Sequence, residues 1–200
     1  MHPDATGPLL DSARLRALLL DMGEALAAEG LIAEIAVHGG SAILLTIGTR
    51  QSTRDVDYAL LSGDEPLLAR AAAEAGKRHG MPEGWFNDAV AIFSSDKPDY
   101  ALVGDFPPER AGLRVFSATP HYLLGMKLMA LRSPFETSDL RDVWDLLDHC
   151  GIETMDDALG LLARFYPGEK LPPHKALILQ DVFEAKAAGQ PYSPLLGWSS

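Results

Sequence analysis

The apolar positions of the chain follow two periods, helical and strand-like, which alternate in its first part before the helical one takes over. Over residues 11–30, Leu15, Leu18, Leu19, Met22 and Leu26 recur at helical spacing, with Asp11 or Ser12 as cap and Gly30 as terminator. LIAEIAVHGG then reads as a short strand ending in glycines, and SAILLTIG as a helix opening directly after them. In RQSTRDVDYALL, Val56, Tyr58 and Leu60 alternate against Asp55 and Asp57 in the two-residue period of a strand, which sets both aspartates on one face. EPLLARAAAEAGKRHG predicts a second amphipathic helix, ended by Gly80 and Pro82, and VAIF, DYALVGD and LRVFSA predict strands around the turn SSDKP. TPHYLLGMKLMALR places Thr119 as N-cap and Pro120 at the first helical position, and Ser138 caps DLRDVWDLLDHC. DDALGLLARFY and KALILQDVFEAKAAG complete four C-terminal helices. The order predicts an α/β (α+β) core over 1–118 and a helical part over 119–200 packed on it as one integrated domain.

Composition narrows the class. Over 200 residues, 47% hydrophobic and 22% charged usage excludes disordered, collagen-like and coiled-coil chains and suffices for a packed core. Lys plus Arg number 17 against 28 Asp plus Glu, a net charge of −11, so long-range attraction to duplex DNA or to anionic membranes is not expected. Cys150 is the single cysteine, which excludes an internal disulfide and suits a reducing compartment. MHPDATGPLL lacks a basic signal-peptide start, and no apolar run approaches a membrane span, so a cytoplasmic location is expected.

Candidate chemistry concentrates between positions 38 and 60. Gly39, Gly40 and Ser41, between a strand and a helix, let backbone amides approach an anion at a helix N-terminus, although such glycine pairs also serve as plain tight turns. Asp55 and Asp57 hold two carboxylates side by side, an arrangement relieved by Mg²⁺ or Mn²⁺, hard cations that also bridge nucleotide phosphates; alone, such a pair also occurs on solvated strand faces. Lys127 lies in a helical stripe with Pro120, Leu123, Leu124, Ala130 and Leu131, and either snorkels to the helix edge or points inward to neutralise phosphate. Asp139 shares its helix face with Leu140, Val143, Leu147 and Cys150, whereas Asp142 lies at the flank. Asp139 is therefore the expected inward group, paired with Lys127 or acting as a base. His38 reads as turn packing, Trp144 as core, and Trp85 and Trp198 as loop residues available to an interface.

Taken in order, GGS, then DVD preceded by the RxxT of Arg50 and Thr53, then MKLMALR and SDLRDVWDLL resemble the minimal nucleotidyltransferases of the polymerase β superfamily, in particular the AbiEii-type toxins and their bacterial relatives. The resemblance covers roughly residues 32–148. It implies a nucleotidyltransferase-fold mixed sheet flanked by helices, in which Gly39, Gly40, Ser41, Arg50, Thr53 and Lys127 bind the nucleotide and Asp55 and Asp57 carry the metal. Asp55, Asp57, Lys127 and Asp139 would be catalytic, with Asp142 the second choice for the last acidic motif. The family's third carboxylate has Asp88, Asp99 and Asp105 as candidates, and spacing selects none. The implied partners are a nucleoside triphosphate, a tRNA-like or other RNA or a protein acceptor, and a cognate antitoxin. RNA would rest on Arg50, Arg54, Arg132 and Arg141, since the overall charge opposes it. The competing expectation is a non-catalytic module that senses a nucleotide or binds a partner.

Overall fold

The computed structural model describes residues 7–89, 93–131 and 137–192, and for residues 137 and 138 the backbone alone. The chain divides into two compact units, Met1–Ile92 with Tyr100–Thr119, and Phe93–Asp99 with Pro120–Ser200.

The first unit is built on a mixed five-stranded sheet in the order β3-β2-β1-β5-β4. Its elements are α1 (Ser12–Ala28), β1 (Ala33–Val37), α2 (Gly39–Thr46), β2 (Val56–Ser62), α3 (Glu65–Arg78), β3 (Phe86–Asn87), β4 (Tyr100–Phe106) and β5 (Leu113–Ala118). The central strand β1 runs antiparallel to β2 and parallel to β5; β2 pairs in parallel with β3, and β4 antiparallel with β5. β1 is the most apolar of the strands, as a strand covered on both faces must be, and Ile35, Ala36 and Val37 are fully buried.

Helix α1 starts where the sequence predicts. The Asp11 carboxylate accepts from the Arg14 N–H at 2.8 Å, and Leu15, Leu18, Leu19 and Met22 are fully buried. Its approach to the sheet depends on two glycines. A Cβ at Gly23 would stand 2.0 Å from the carbonyl oxygen of Phe106, and one at Gly112 would stand 2.0 Å from that of Gly23. Helix and β4–β5 connection therefore touch backbone to backbone, and Arg110 donates to the Ala27 carbonyl at 2.7 Å at the helix end.

The second unit holds α4 (Pro120–Ala130), α5 (Thr137–Cys150), α6 (Met155–Phe165) and α7 (Pro173–Ala187). Two buried tyrosines fasten the segment 93–99 to these helices: the Tyr122 hydroxyl accepts from the Ser95 N–H at 3.0 Å, and the Tyr166 hydroxyl donates to the Phe93 carbonyl at 2.6 Å. Trp144 is buried as expected, with the Lys186 ammonium 4.1 Å from its ring centroid.

Three expectations change. Helix α5 begins at Thr137, so Ser138 lies inside its first turn rather than capping it. β3 was not predicted, because two residues are too few to display a period. Trp85 is core rather than loop surface, 4% exposed, with its indole N–H donating to the Ala72 carbonyl at 3.2 Å. The predicted strand VAIF lies outside the described residues except for Phe93, as do Arg132 and Trp198.

The backbone contact at Gly23 yields a stability prediction. Gly23→Ala is expected to cost about 3 kcal/mol by overpacking, whereas Gly160→Ala, inside α6 with nothing within 4 Å of its added carbon, gains about 0.5–1 kcal/mol through helix propensity. Urea midpoints at unchanged slope measure both; equal midpoints for the two variants would contradict the packing argument.

Candidate functional site

The end of β1 runs directly into α2. The His38 N–H donates to the Asp57 carbonyl at 2.9 Å, tying the end of β1 to β2. Gly39 then adopts φ +56°, a left-handed conformation that favours glycine, and α2 opens with Gly39, Gly40 and Ser41 as its first turn. Ser41, expected to face phosphate, is fully buried, and its hydroxyl donates to the His38 carbonyl at 2.8 Å. It shapes the helix start from within.

Both glycines admit neighbours that any side chain would displace. A Cβ at Gly39 would lie 2.4 Å from Oδ2 of Asp57, and one at Gly40 would lie 2.5 Å from Nη1 of Arg50 and 2.7 Å from Oγ1 of Thr53. Carboxylate, guanidinium and hydroxyl thus lie against the N-terminal turn of α2, where the helix dipole is positive. The loop that carries them is pinned. Leu10 and Thr53 exchange both backbone hydrogen bonds, at 2.8 and 2.9 Å, Arg50 Nε donates to the Ser52 carbonyl at 3.1 Å, and the Thr53 hydroxyl donates to the Asp55 carbonyl at 3.3 Å.

Asp55 stands one residue before β2 and is exposed, while Asp57 is half-buried. Val56 and Tyr58 between and beyond them are buried, as the predicted alternation requires. Gly39, Gly40, Arg50, Thr53 and Asp57 are therefore brought together in the first unit, with Asp55 at the start of the same strand.

Lys127, Asp139 and Asp142 belong to the second unit and form a cluster there. Lys127 Nζ meets Asp139 Oδ1 at 2.6 Å and Asp142 Oδ2 at 2.9 Å. Its side chain is 13% exposed, so it points inward rather than snorkelling. Burial alone would lower the lysine pKa; the charges of Asp142 and Asp139 and their hydrogen bonds outweigh that, and the net shift is upward. Two of the three ammonium hydrogens are directed at carboxylates. The expected ranking of the aspartates is reversed: the Asp142 side chain is 7% exposed against 26% for Asp139. Helical angle favoured Asp139, but it sits in the first turn of α5, and Asp142 lies nearly one turn deeper.

The candidates for a third carboxylate are dispersed. Asp105 is bound by Arg114 at 2.8 and 3.2 Å, Asp99 lies 3.7 Å from Arg164 in the second unit, and Asp88 directly follows β3. In the β2–β3 register, Asn87 rather than Asp88 stands opposite Asp57. Among the described residues no three His, Cys, Asp or Glu side chains form a metal cage. Arg141, a predicted RNA contact, bonds Asp145 at 3.0 Å and lies over the Tyr192 ring; Arg54 is exposed beside Asp55.

No family model matches the chain, and no curated protein matches it. Among solved structures it is similar to an antigenic nucleotidyltransferase-like protein from Paracoccidioides brasiliensis, at 13% identity and a TM-score of 0.44, over 96% of this chain and 100% of that chain.

His38 is fully buried, edge-on to Tyr100 at 5.5 Å, and burial lowers its pKa from 6.5 to about 4. The unfolded chain therefore takes up a proton that the folded chain refuses, so stability holds above pH 6.5 and falls by about 3 kcal/mol between there and pH 4. Urea denaturation at pH 7 and pH 4 is expected to show a correspondingly smaller acid loss in His38→Gln; equal losses would refute the assignment. Separately, Lys127→Met leaves Asp142 buried beside Asp139 without its cation and is expected to cost about 3–5 kcal/mol. A thermal or urea midpoint unchanged from wild type would show that the cluster does not hold the helices.

Proposed function

We propose that the chain is a metal-dependent nucleotidyltransferase that moves a nucleoside monophosphate from a nucleoside triphosphate to a hydroxyl of an RNA or protein acceptor. One observation carries this reading: an acidic and a basic side chain, Asp57 and Arg50, lie against two glycines that open a helix. Backbone amides and the helix dipole favour an anion there, Arg50 adds a fixed positive charge with fork geometry, and Thr53 adds a hydroxyl.

Asp55 and Asp57 fit a divalent cation by donor chemistry. They are hard carboxylate oxygens from one strand face, and Mg²⁺ is commonly held by one or two carboxylates with substrate phosphates and water completing its shell. When bound, such an ion supplies charge neutralisation at the phosphates. In this reading the acceptor oxygen attacks the α-phosphorus, the bond to the bridging oxygen breaks, and pyrophosphate leaves. Asp55, exposed just outside the strand, has room to take the hydroxyl proton. The narrower reading, a toxin restrained by a cognate antitoxin, rests on the order of the motifs.

The test uses four α-labelled ribonucleotides, Mg²⁺ or Mn²⁺, and bacterial RNA or protein extract. Label is expected on one acceptor class, with Asp57→Asn reducing it by roughly 10²-fold or more and Asp55→Asn acting alike. No label with Mg²⁺-dependent nucleotide binding retained would favour a sensing module; neither label nor binding would overturn the nucleotide reading altogether.

A further inference from the structure

The two faces of the sheet are covered unequally. On the face of Tyr58, beside which α3 lies, Ile35, Val37, Leu113 and Val115 are all buried. On the face of Asp57, Arg114 and Phe116 are half-buried and Leu102 is 60% exposed. Strand register sorts this second face into three rows. In the first, Asp57 stands beside His38, whose N–H its carbonyl accepts. Two residues along β1, Ala59, Phe116 and Leu102 form a partly open apolar row around the buried Ala36. Two residues further, Arg114 is opposite both Glu34 and Asp105 and binds them at 3.1 and 2.8 Å.

The third row sets two carboxylates against one guanidinium, all between 30% and 38% exposed. Arg114 is the only cation of the three rows, and both carboxylates already hold it. A phosphodiester laid along this face would therefore meet an apolar row and then net negative charge. An extended polypeptide matches the rows instead. Its side chains point to one side at every second residue, so residues i, i+2 and i+4 fall on successive rows. Four residues of an extended chain span about 13 Å, the same rise as β1 makes from Glu34 to His38.

We propose that the acceptor is a protein segment lying extended on this face, with a serine or threonine hydroxyl at Asp57, an apolar side chain two residues away over Phe116 and Leu102, and a lysine or arginine four residues away at Glu34 and Asp105. The inference rests on the transferase reading and narrows its acceptor: the hydroxyl oxygen bonds to the α-phosphorus, pyrophosphate leaves, and the hydroxyl proton passes to Asp55.

The probe is the blocked pentapeptide Ser-Ala-Leu-Ala-Arg, titrated into ¹⁵N-labelled full-length protein while the Leu102 and Phe116 amides are followed by NMR. Saturable shifts are expected there, weaker when glutamate replaces the arginine of the peptide and absent with octauridylate. Asp105→Asn should weaken the basic peptide about threefold to fivefold, as loss of an exposed ion pair does. Leu102→Ser, at an exposed position, should weaken basic and acidic peptides alike, by about fivefold to tenfold, through lost apolar contact. In the labelled extract, label should resist ribonuclease and yield to protease. The Gly39 and Gly40 amides, followed with Mg²⁺ and each ribonucleoside triphosphate, report on the nucleotide reading by themselves: no shift there overturns that reading and this one with it. Nucleotide shifts there without saturable peptide shifts at Leu102 and Phe116 overturn the acceptor assignment alone. Octauridylate shifting those two amides, an acidic peptide binding as tightly as the basic one, or ribonuclease-sensitive label would do the same.

Discussion

Two missing β-carbons govern the candidate site. At positions 39 and 40 any side chain would occupy the volume now taken by the Asp57 carboxylate and by the Arg50 guanidinium with the Thr53 hydroxyl. Because the space is vacant, the loop that follows α2 and the strand it leads into both fold back onto the same helical turn. The device recurs at Gly23 and Gly112, where α1 meets the β4–β5 connection without intervening side chains. In both places the fold uses backbone proximity to fix direction. The helix can then be only where the loop permits, and the loop is held in turn by the paired Leu10 and Thr53.

Electrostatics divides the molecule by length scale. At a net charge of −11 the protein repels a polyphosphate within about a Debye length of its surface, roughly 8–10 Å at ordinary salt, and gives it no attraction from farther away. Any anion held at α2 must be captured by short-range groups, the amides of the first turn and Arg50, rather than steered from afar. The second unit treats its charges oppositely. Lys127 is surrounded by Asp139 and Asp142, a buried cluster of net −1 in which desolvation is offset only because both carboxylates lie within 2.9 Å. A lysine in such a cluster orders α4 against α5 before it does anything else.

Legibility from the sequence followed periodicity. α1, β1, β2, α3, β4, β5 and the four late helices were readable because each is long enough to repeat its pattern, and the Asp55/Asp57 face followed from the two-residue period alone. What escaped lacks a period or depends on long-range placement. β3 spans two residues, and its existence depends on β2 lying alongside. Trp85 looked exposed because it follows a Pro-Glu-Gly turn, and only the approach of α3 buries it. Asp139 outranked Asp142 because a helical wheel reports angle and not depth along the axis. Arg50 and Thr53 were found by resemblance, and their approach to Gly40 had no signal in local sequence.

The alternation in β2 has a further consequence. Successive residues of one strand face opposite sides, so Asp57 is directed to α2 while Tyr58 lines a cleft beside α3. A slip of one residue would exchange them, placing a carboxylate among aromatic rings and a phenol against the first turn of α2. The register that prevents this is Val37 opposite Tyr58 and Ala36 opposite Ala59, reinforced by the His38 bond to the Asp57 carbonyl. The strands do shift register, between Glu34 and Ile35, but at the far end of the pair, where Leu61 and Ser62 are exposed. The irregularity is thus kept where it moves neither Asp57 nor Tyr58, and the regular stretch is the one on which their placement depends.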